Sequence, residues 1–220
     1  MSTVPEAVLF DLDGTLVDSE RENIESVVLA ARRHGAELLA EERKFIIGHS
    51  WNEIYEMLVR HHSLAVPMTQ LIAEAVAEKR ALIKVSGHRA LPGAVPAVKR
   101  FARTSKLAIV TGSSTAEAQD SIAGIGIGEY ISALVAAEDY TNGKPAPDPY
   151  AQAISRLGVS AARTIAIEDA TPGILSARAA GARVIAVRAG NFAGYDLSPA
   201  DVVVDTLDDV TDDLIARLLA

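Results

Sequence analysis

The chain of 220 residues contains no cysteine. Disulfides, thiolate nucleophiles and zinc–thiolate centres are therefore ruled out. Aromatic residues are scarce, at 5% with a single tryptophan, so packing falls to Ala, Val, Ile and Leu. Basic residues are outnumbered, with 21 Lys and Arg against 29 Asp and Glu, for a net charge of −8. So acidic a chain is expected neither to bind nucleic acid in general nor to dock on an acidic membrane. No run of residues reaches the roughly 18 apolar positions of a membrane span. The opening "MSTVPEAVLF" lacks the basic segment and long apolar stretch of a secretory signal. The expectation is a soluble cytoplasmic protein that acts as a monomer.

What is present is organised. Half of the chain is hydrophobic (49%), mostly small and aliphatic, which suits buried parallel strands and Ala-rich helices. A first strand is expected at about 6–10, "EAVLF". From about residue 91, short apolar runs alternate with helical stretches: "KLAIVTG" (106–112), "SALVAA" (132–137), "RTIAIED" (163–169), "ARVIAVR" (182–188) and "DVVVD" (201–205). Ser114 and Glu117 form a capping box, Asp148-Pro149 and Thr171-Pro172 read as an N-cap followed by proline, and Gly181 reads as a helix stop. This alternation predicts a doubly wound parallel α/β sheet of about six strands, Rossmann-like in form. Residues 19–90 break the rhythm. They carry helical spacing (Ile24, Val27, Val28, Ala31), a capping box at Ser50 and Glu53, and a further helix from about Thr69 to Lys84. The expected organisation is a core of 1–18 with 91–220, and an inserted helical domain at 19–90. "GIGIG" at 124–128 follows a helix, so it reads as a helix-to-strand turn and not as a dinucleotide loop.

The stretch "FDLDGTLVDSE" at 10–20 calls for an explanation. Asp13-Gly14 is readable as an ordinary turn. Asp11 is not, because a charge at the last position of a core-facing segment has to be paired or used. In an open parallel sheet the chemistry collects at the carboxyl ends of the strands. Those ends would bring together Asp11, Asp13, Thr111, Gly112, Glu168 and Asp169, with Lys144 arriving on "NGKPAPDPY". Four clustered carboxylates repel one another unless a cation is present. An all-oxygen donor set suits Mg²⁺. Thr111, the amides of Gly112 and Ser113 and the start of the following helix would cradle an anion, with Lys144 completing the cradle. A metal and an anion cradle beside a free carboxylate describe phosphoryl transfer. Plainer readings exist for Thr111 as a strand-end cap, for Lys144 as a loop lysine and for Glu168 as a partner that only tunes Asp169. The five histidines show no ligand spacing.

Residues 10–20 resemble the first motif of the haloacid dehalogenase superfamily, and "VTGSS" (110–114), "GKPAPDPY" (143–150) and "IEDATPGILSARAAG" (167–181) resemble its other three, in family order. The resemblance implies an inserted helical cap domain, as in β-phosphoglucomutase-like and phosphoglycolate phosphatase-like members. It implies that Asp11 is the nucleophile forming an aspartyl phosphate and that Asp13 is the general acid/base. It further implies that Mg²⁺ is held by Asp11, Asp169, the Asp13 carbonyl and Glu168 (or with Glu168 just behind), and that Thr111 and Lys144 clamp phosphate. The second aspartate separates the chain from the founding dehalogenases, which lack it. "GHSWNE" at 48–53 stands where the family's cap reaches toward the core, which makes His49 and Trp51 candidate substrate contacts.

The implied activity is a Mg²⁺-dependent phosphatase acting on a small phosphorylated metabolite, a sugar phosphate or a phosphoglycolate-like compound. A phosphosugar mutase is the alternative. Asn23 and Trp51 stand where the mutase carries a histidine and an arginine, which argues for water as the acceptor. A receiver-like signalling module is a remoter reading. It too uses an aspartate with acidic neighbours, a Thr and a Lys, but its phosphorylated aspartate follows its acidic pair in sequence, whereas here the pair opens the chain.

Overall fold

The computed structural model describes residues 4–220. The apolar runs form six strands: β1 (Ala7–Phe10), β2 (Lys106–Val110), β3 (Ala133–Val135), β4 (Thr164–Glu168), β5 (Arg183–Val187) and β6 (Val202–Val204). All pair in parallel, in the order β3-β2-β1-β4-β5-β6. The first strand therefore lies in the interior of the sheet, and every one of its four residues is buried.

Strand side chains alternate between the two faces, so each face recruits its own core. Val8, Phe10, Leu107, Ile109, Ile165, Ile167, Ile185 and Val187 form the bulkier face. Against it pack α5 (Ala94–Phe101), α6 (Thr115–Gly124) and α9 (Asp212–Leu219), through Val98, Phe101, Ile122 and Ile215. The opposite face is made of smaller residues, among them Ala7, Leu9, Ala108, Ala166 and Ala186. It admits α7 (Asp148–Leu157) and α8 (Thr171–Ala179) through Tyr150, Ala153, Ile174 and Ala177. Helices on both faces of a parallel sheet make the doubly wound arrangement that the alternation predicts.

The chain divides into two compact units, one of residues up to Asp18 with Arg89–Ala220, the other of Ser19–His88. The second unit is helical: α1 (Glu20–Arg33), α2 (Ala40–Ile46), α3 (Trp51–His62) and α4 (Met68–Ser86). Its own core includes Val27, Val28, Ala31, Ile54, Leu58 and Leu71. The Glu42 carboxylate of α2 accepts a bond from the Leu39 backbone amide (2.8 Å) and is flanked by His61 Nδ1 (2.7 Å) and His62 Nε2 (3.0 Å) at the end of α3. No helix among the described residues is long and apolar enough to cross a membrane.

Local details differ from the sequence reading in three places. Helix α2 carries no apolar periodicity to reveal it, because only Glu42 and Ile46 of "AEERKFI" are buried. Asp148 and Thr171 are the first residues of their helices and not N-caps, which are Pro147 and Ala170. Each proline thus sits one position later than expected, still within the first turn, where its missing N–H has no helical partner to lose.

Candidate active site

Register brings the acidic residues together. Phe10 pairs with both Ile109 and Ile167, so the residues that follow on β1 and β4 emerge side by side. The Asp11 amide donates to the Ile167 carbonyl (3.0 Å), which ties the end of β1 to the strand bearing Glu168. Asp11, Glu168 and Asp169 are all buried and each offers an oxygen within 4.8 Å of the others. Lys144 lies between them. Its ammonium donates to Asp11 Oδ1 (2.6 Å), Glu168 Oε1 (2.6 Å) and the Val110 carbonyl (3.0 Å). An ammonium has three N–H bonds, and these three acceptors use all of them.

The sequence after Asp11 is shaped by close approach. Gly14 has φ +87°, in the left-handed region that disfavours a side chain, and a Cβ there would lie 2.3 Å from Asp169 Oδ2. The turn therefore presses its backbone against the carboxylate. Thr15, fully buried, donates from Oγ1 to Asp169 Oδ1 (3.1 Å). Gly190 backs the same turn, since a Cβ on it would fall 1.6 Å from the Gly14 carbonyl oxygen. On α8, a Cβ at Gly173 would lie 1.9 Å from Glu168 Oε1, so this helix approaches the carboxylate only because the position is glycine.

Asp13 stands apart from the buried cluster. It is half-buried, and Ser113 Oγ donates to its Oδ2 (2.7 Å). The Asp13 side chain is thus oriented from the end of β2, while that of Asp11 is oriented by Lys144. Thr111 is buried, its hydroxyl accepts the Ser113 amide (3.0 Å), and its carbonyl accepts Tyr140 Oη (3.0 Å). Part of the expected anion cradle is therefore occupied by the protein itself: the Ser113 amide by Thr111, the Ser114 amide by Glu117 and the Thr115 amide by Glu138. Beside Gly112 there is open space, since a Cβ added there would meet nothing within 4 Å.

Burial dominates the electrostatics. It pushes the Asp11 carboxyl well above its ordinary range, with Glu168 and Asp169 adding and Lys144 opposing. Burial and the neighbouring Glu168 raise Asp169 to about 8, against the Thr15 hydrogen bond and Lys144. For Lys144, burial favours the neutral amine, but the Asp11 and Glu168 carboxylates outweigh it and keep the ammonium protonated. Three carboxylates around one ammonium leave a deficit of positive charge. The donors are hard oxygens, the set that Mg²⁺ takes, so these residues fit a divalent cation.

The structure brings together Asp11, Lys144, Glu168 and Asp169, with Thr111, Gly112, Ser113 and Asp13 around them. His49 and Trp51 belong to the helical unit. His49 stacks on Phe45 with ring centroids 3.8 Å apart, and Trp51 packs against that unit's core. Thr15, Tyr140 and Tyr150 are given no role by the sequence reading, although Thr15 and Tyr150 lie inside two of the motifs it quotes. Tyr150 Oη donates to Glu168 Oε1 (2.7 Å), a contact across 18 residues that no local spacing announces.

A parallel doubly wound sheet that carries a buried carboxylate–lysine cluster at its strand ends is the layout of an α/β enzyme, with the charged groups gathered where such sheets place their chemistry. Comparison with known proteins narrows it. The family described as haloacid dehalogenase-like hydrolase matches residues 8–187, and the chain belongs to that family. It is 35% identical to hexitol phosphatase A of Escherichia coli, covering 92% of each chain. It is 32% identical to the phosphoglycolate phosphatase of Cupriavidus necator, over 92% of this chain and 90% of that one. The fold is also that of the β-phosphoglucomutase of Clostridium difficile, with a TM-score of 0.77 at 21% identity over 98% of this chain and 97% of the other. The chain is an enzyme, a phosphoric monoester hydrolase of this family.

Proposed function

We propose that this enzyme hydrolyses a small phosphorylated metabolite, a sugar phosphate or a phosphoglycolate-like compound, through an aspartyl phosphate on Asp11, with Mg²⁺ as cofactor. One observation carries the reading: Asp11 ends an interior strand, bonded to Lys144 and within 4.8 Å of two further buried carboxylates, with Asp13 two residues beyond and turned toward Ser113.

In this reading a carboxylate oxygen of Asp11 attacks phosphorus, and the bond from phosphorus to the leaving oxygen breaks. Asp13 gives its proton to that oxygen. It then takes a proton from the water that attacks the phosphoenzyme, releasing phosphate and restoring Asp11. Thr111 and the Gly112 amide would hold the phosphoryl oxygens. Lys144 has to exchange one of its present acceptors for phosphate. Asp11 and Asp169, with Glu168 and the Asp13 carbonyl, would hold Mg²⁺. When bound, Mg²⁺ supplies positive charge to the carboxylates and to the phosphoryl group. The substrate class is supported by relatives whose names specify hexitol and phosphoglycolate phosphatases.

The mutase reading has the fold in its favour. Against it stand Asn23 and Trp51: an amide cannot couple protonation to substrate arrival as an imidazole can, nor can an indole bind phosphate bidentately.

The test is a panel of phosphorylated metabolites followed for free phosphate, with and without Mg²⁺ and EDTA. Release that requires Mg²⁺ is expected for at least one member. Undiminished turnover in EDTA would remove the metal from the reading, and no release from any member would remove the phosphatase.

A further inference from the structure

Helix α7 sends one side chain into the charged cluster, and it is not part of the chemistry above. Tyr150 is fully buried, and its hydroxyl lies 2.7 Å from Glu168 Oε1, the same oxygen that receives Lys144 Nζ at 2.6 Å. Facing a carboxylate, the phenol has to be the donor, and burial together with Glu168 keeps it protonated. Its ring also stands 5.2 Å from Lys144 Nζ. Glu168 has little room to adjust: Gly173 approaches its carboxylate from α8, and Oε2 is occupied by the Asp169 amide (3.3 Å).

We propose that Tyr150 is a positioning residue: its hydroxyl shares the charge of Glu168 Oε1 and so limits the hold of Glu168 on Lys144, leaving the ammonium able to pass from Asp11 to an arriving phosphate. The inference rests on the reading that phosphate binds beside Asp11 and Lys144. All three Lys144 hydrogens are engaged, so binding a phosphate means giving up one acceptor. The Val110 carbonyl and Glu168 can serve as the pivot while the Asp11 bond is released. A Glu168 oxygen without the phenol would concentrate its charge on Lys144, and the ammonium would be drawn away from Asp11 and from the phosphate.

Tyr150→Phe keeps the ring and removes only the donor. Inorganic phosphate binding, measured by calorimetry in Mg²⁺, is expected to weaken about tenfold, KM to rise in parallel and kcat to move by less than about threefold. In a Glu168→Gln background the same change should have little further effect on phosphate binding, because Tyr150 acts through that carboxylate. Fluorotyrosine at position 150, a stronger donor of the same shape, should shift phosphate affinity the opposite way, and it serves if Tyr150→Phe does not fold. Unchanged phosphate affinity in both variants, or an equal loss with and without Glu168, overturns the proposal. A wild-type protein that neither hydrolyses nor binds phosphate refutes the phosphatase reading instead. The Tyr150 proposal then stands or falls on the crystal structure of the Tyr150→Phe protein, where a longer Lys144–Asp11 separation is expected and an unmoved Lys144 refutes it.

Discussion

Asp11 and Asp13 are neighbours but one in sequence, yet their surroundings differ in a way that suits the two roles proposed for them. Asp11 is closed in by Lys144, Glu168 and Asp169, while Asp13 faces Ser113 at the end of the adjacent strand. Separate environments for two carboxylates are how one site runs nucleophilic and proton-transfer chemistry together. Asp11→Asn is nearly isosteric and should leave the fold intact while lowering kcat on the order of a thousandfold or more. A purified, folded variant that keeps a tenth of wild-type hydrolysis would refute Asp11 as nucleophile. Asp169→Ala, which removes one oxygen from the proposed cation site, should raise the Mg²⁺ concentration needed for half-maximal rate at least tenfold. A Mg²⁺ titration of the rate decides it.

At the scale of elements, close approach matters more than helix propensity. Alanine is ordinarily the better helix former, but on α8 a methyl at Gly173 would meet Glu168 Oε1 at 1.9 Å. Gly173→Ala should therefore lower kcat at least tenfold, where an exposed helical glycine would gain stability from the same change. Parallel measurements of rate and melting temperature separate the two outcomes. In the helical unit, Glu42 joins the start of α2 to the end of α3. Burial opposes its ionisation, but the Leu39 amide and then His61 and His62 outweigh it and bring its carboxyl down to about 2. A depressed acid contributes stability above its unfolded value, and that contribution is lost as the pH falls from about 4.5 to about 2. Glu42→Gln should thus cost on the order of 1–3 kcal/mol near neutrality and flatten the acid limb of the unfolding curve, measured by denaturant melts across that range. Equal acid sensitivity in both proteins would show that other carboxylates dominate.

For the molecule as a whole, the question is where the phosphoryl group goes. With Asn23 and Trp51 in place of a histidine and an arginine, the proposed aspartyl phosphate should lose its phosphoryl group to water. Incubation with Mg²⁺, β-glucose 1-phosphate and a trace of the 1,6-bisphosphate should yield no efficient isomerisation. Glucose 6-phosphate formed without free phosphate would establish the mutase.

Much of this was determined by the sequence alone. Strand identity followed from short β-branched runs, and the doubly wound sheet followed from their alternation with capped helices, because both signals are local and periodic. The residues at the strand ends were legible for the same reason: once β1, β2 and β4 are parallel neighbours, Asp11, Thr111 and Glu168 all fall at the same edge of the sheet, with Asp11 level with Glu168 and Thr111 one residue further along. Helix α2 was hidden because a seven-residue helix burying only two side chains leaves no periodic trace. Only the tertiary structure decided which groups touch. Tyr150 meets Glu168 across 18 residues and Thr15 meets Asp169 across 154. Gly14, Gly173 and Gly190 permit approaches that no local pattern encodes. Lys144, read as a phosphate clamp, has all three hydrogens engaged by Asp11, Glu168 and the Val110 carbonyl. Such contacts depend on how two faces of a sheet pack their helices, and sequence spacing records the periodicity of an element but not the depth to which its neighbours press upon it.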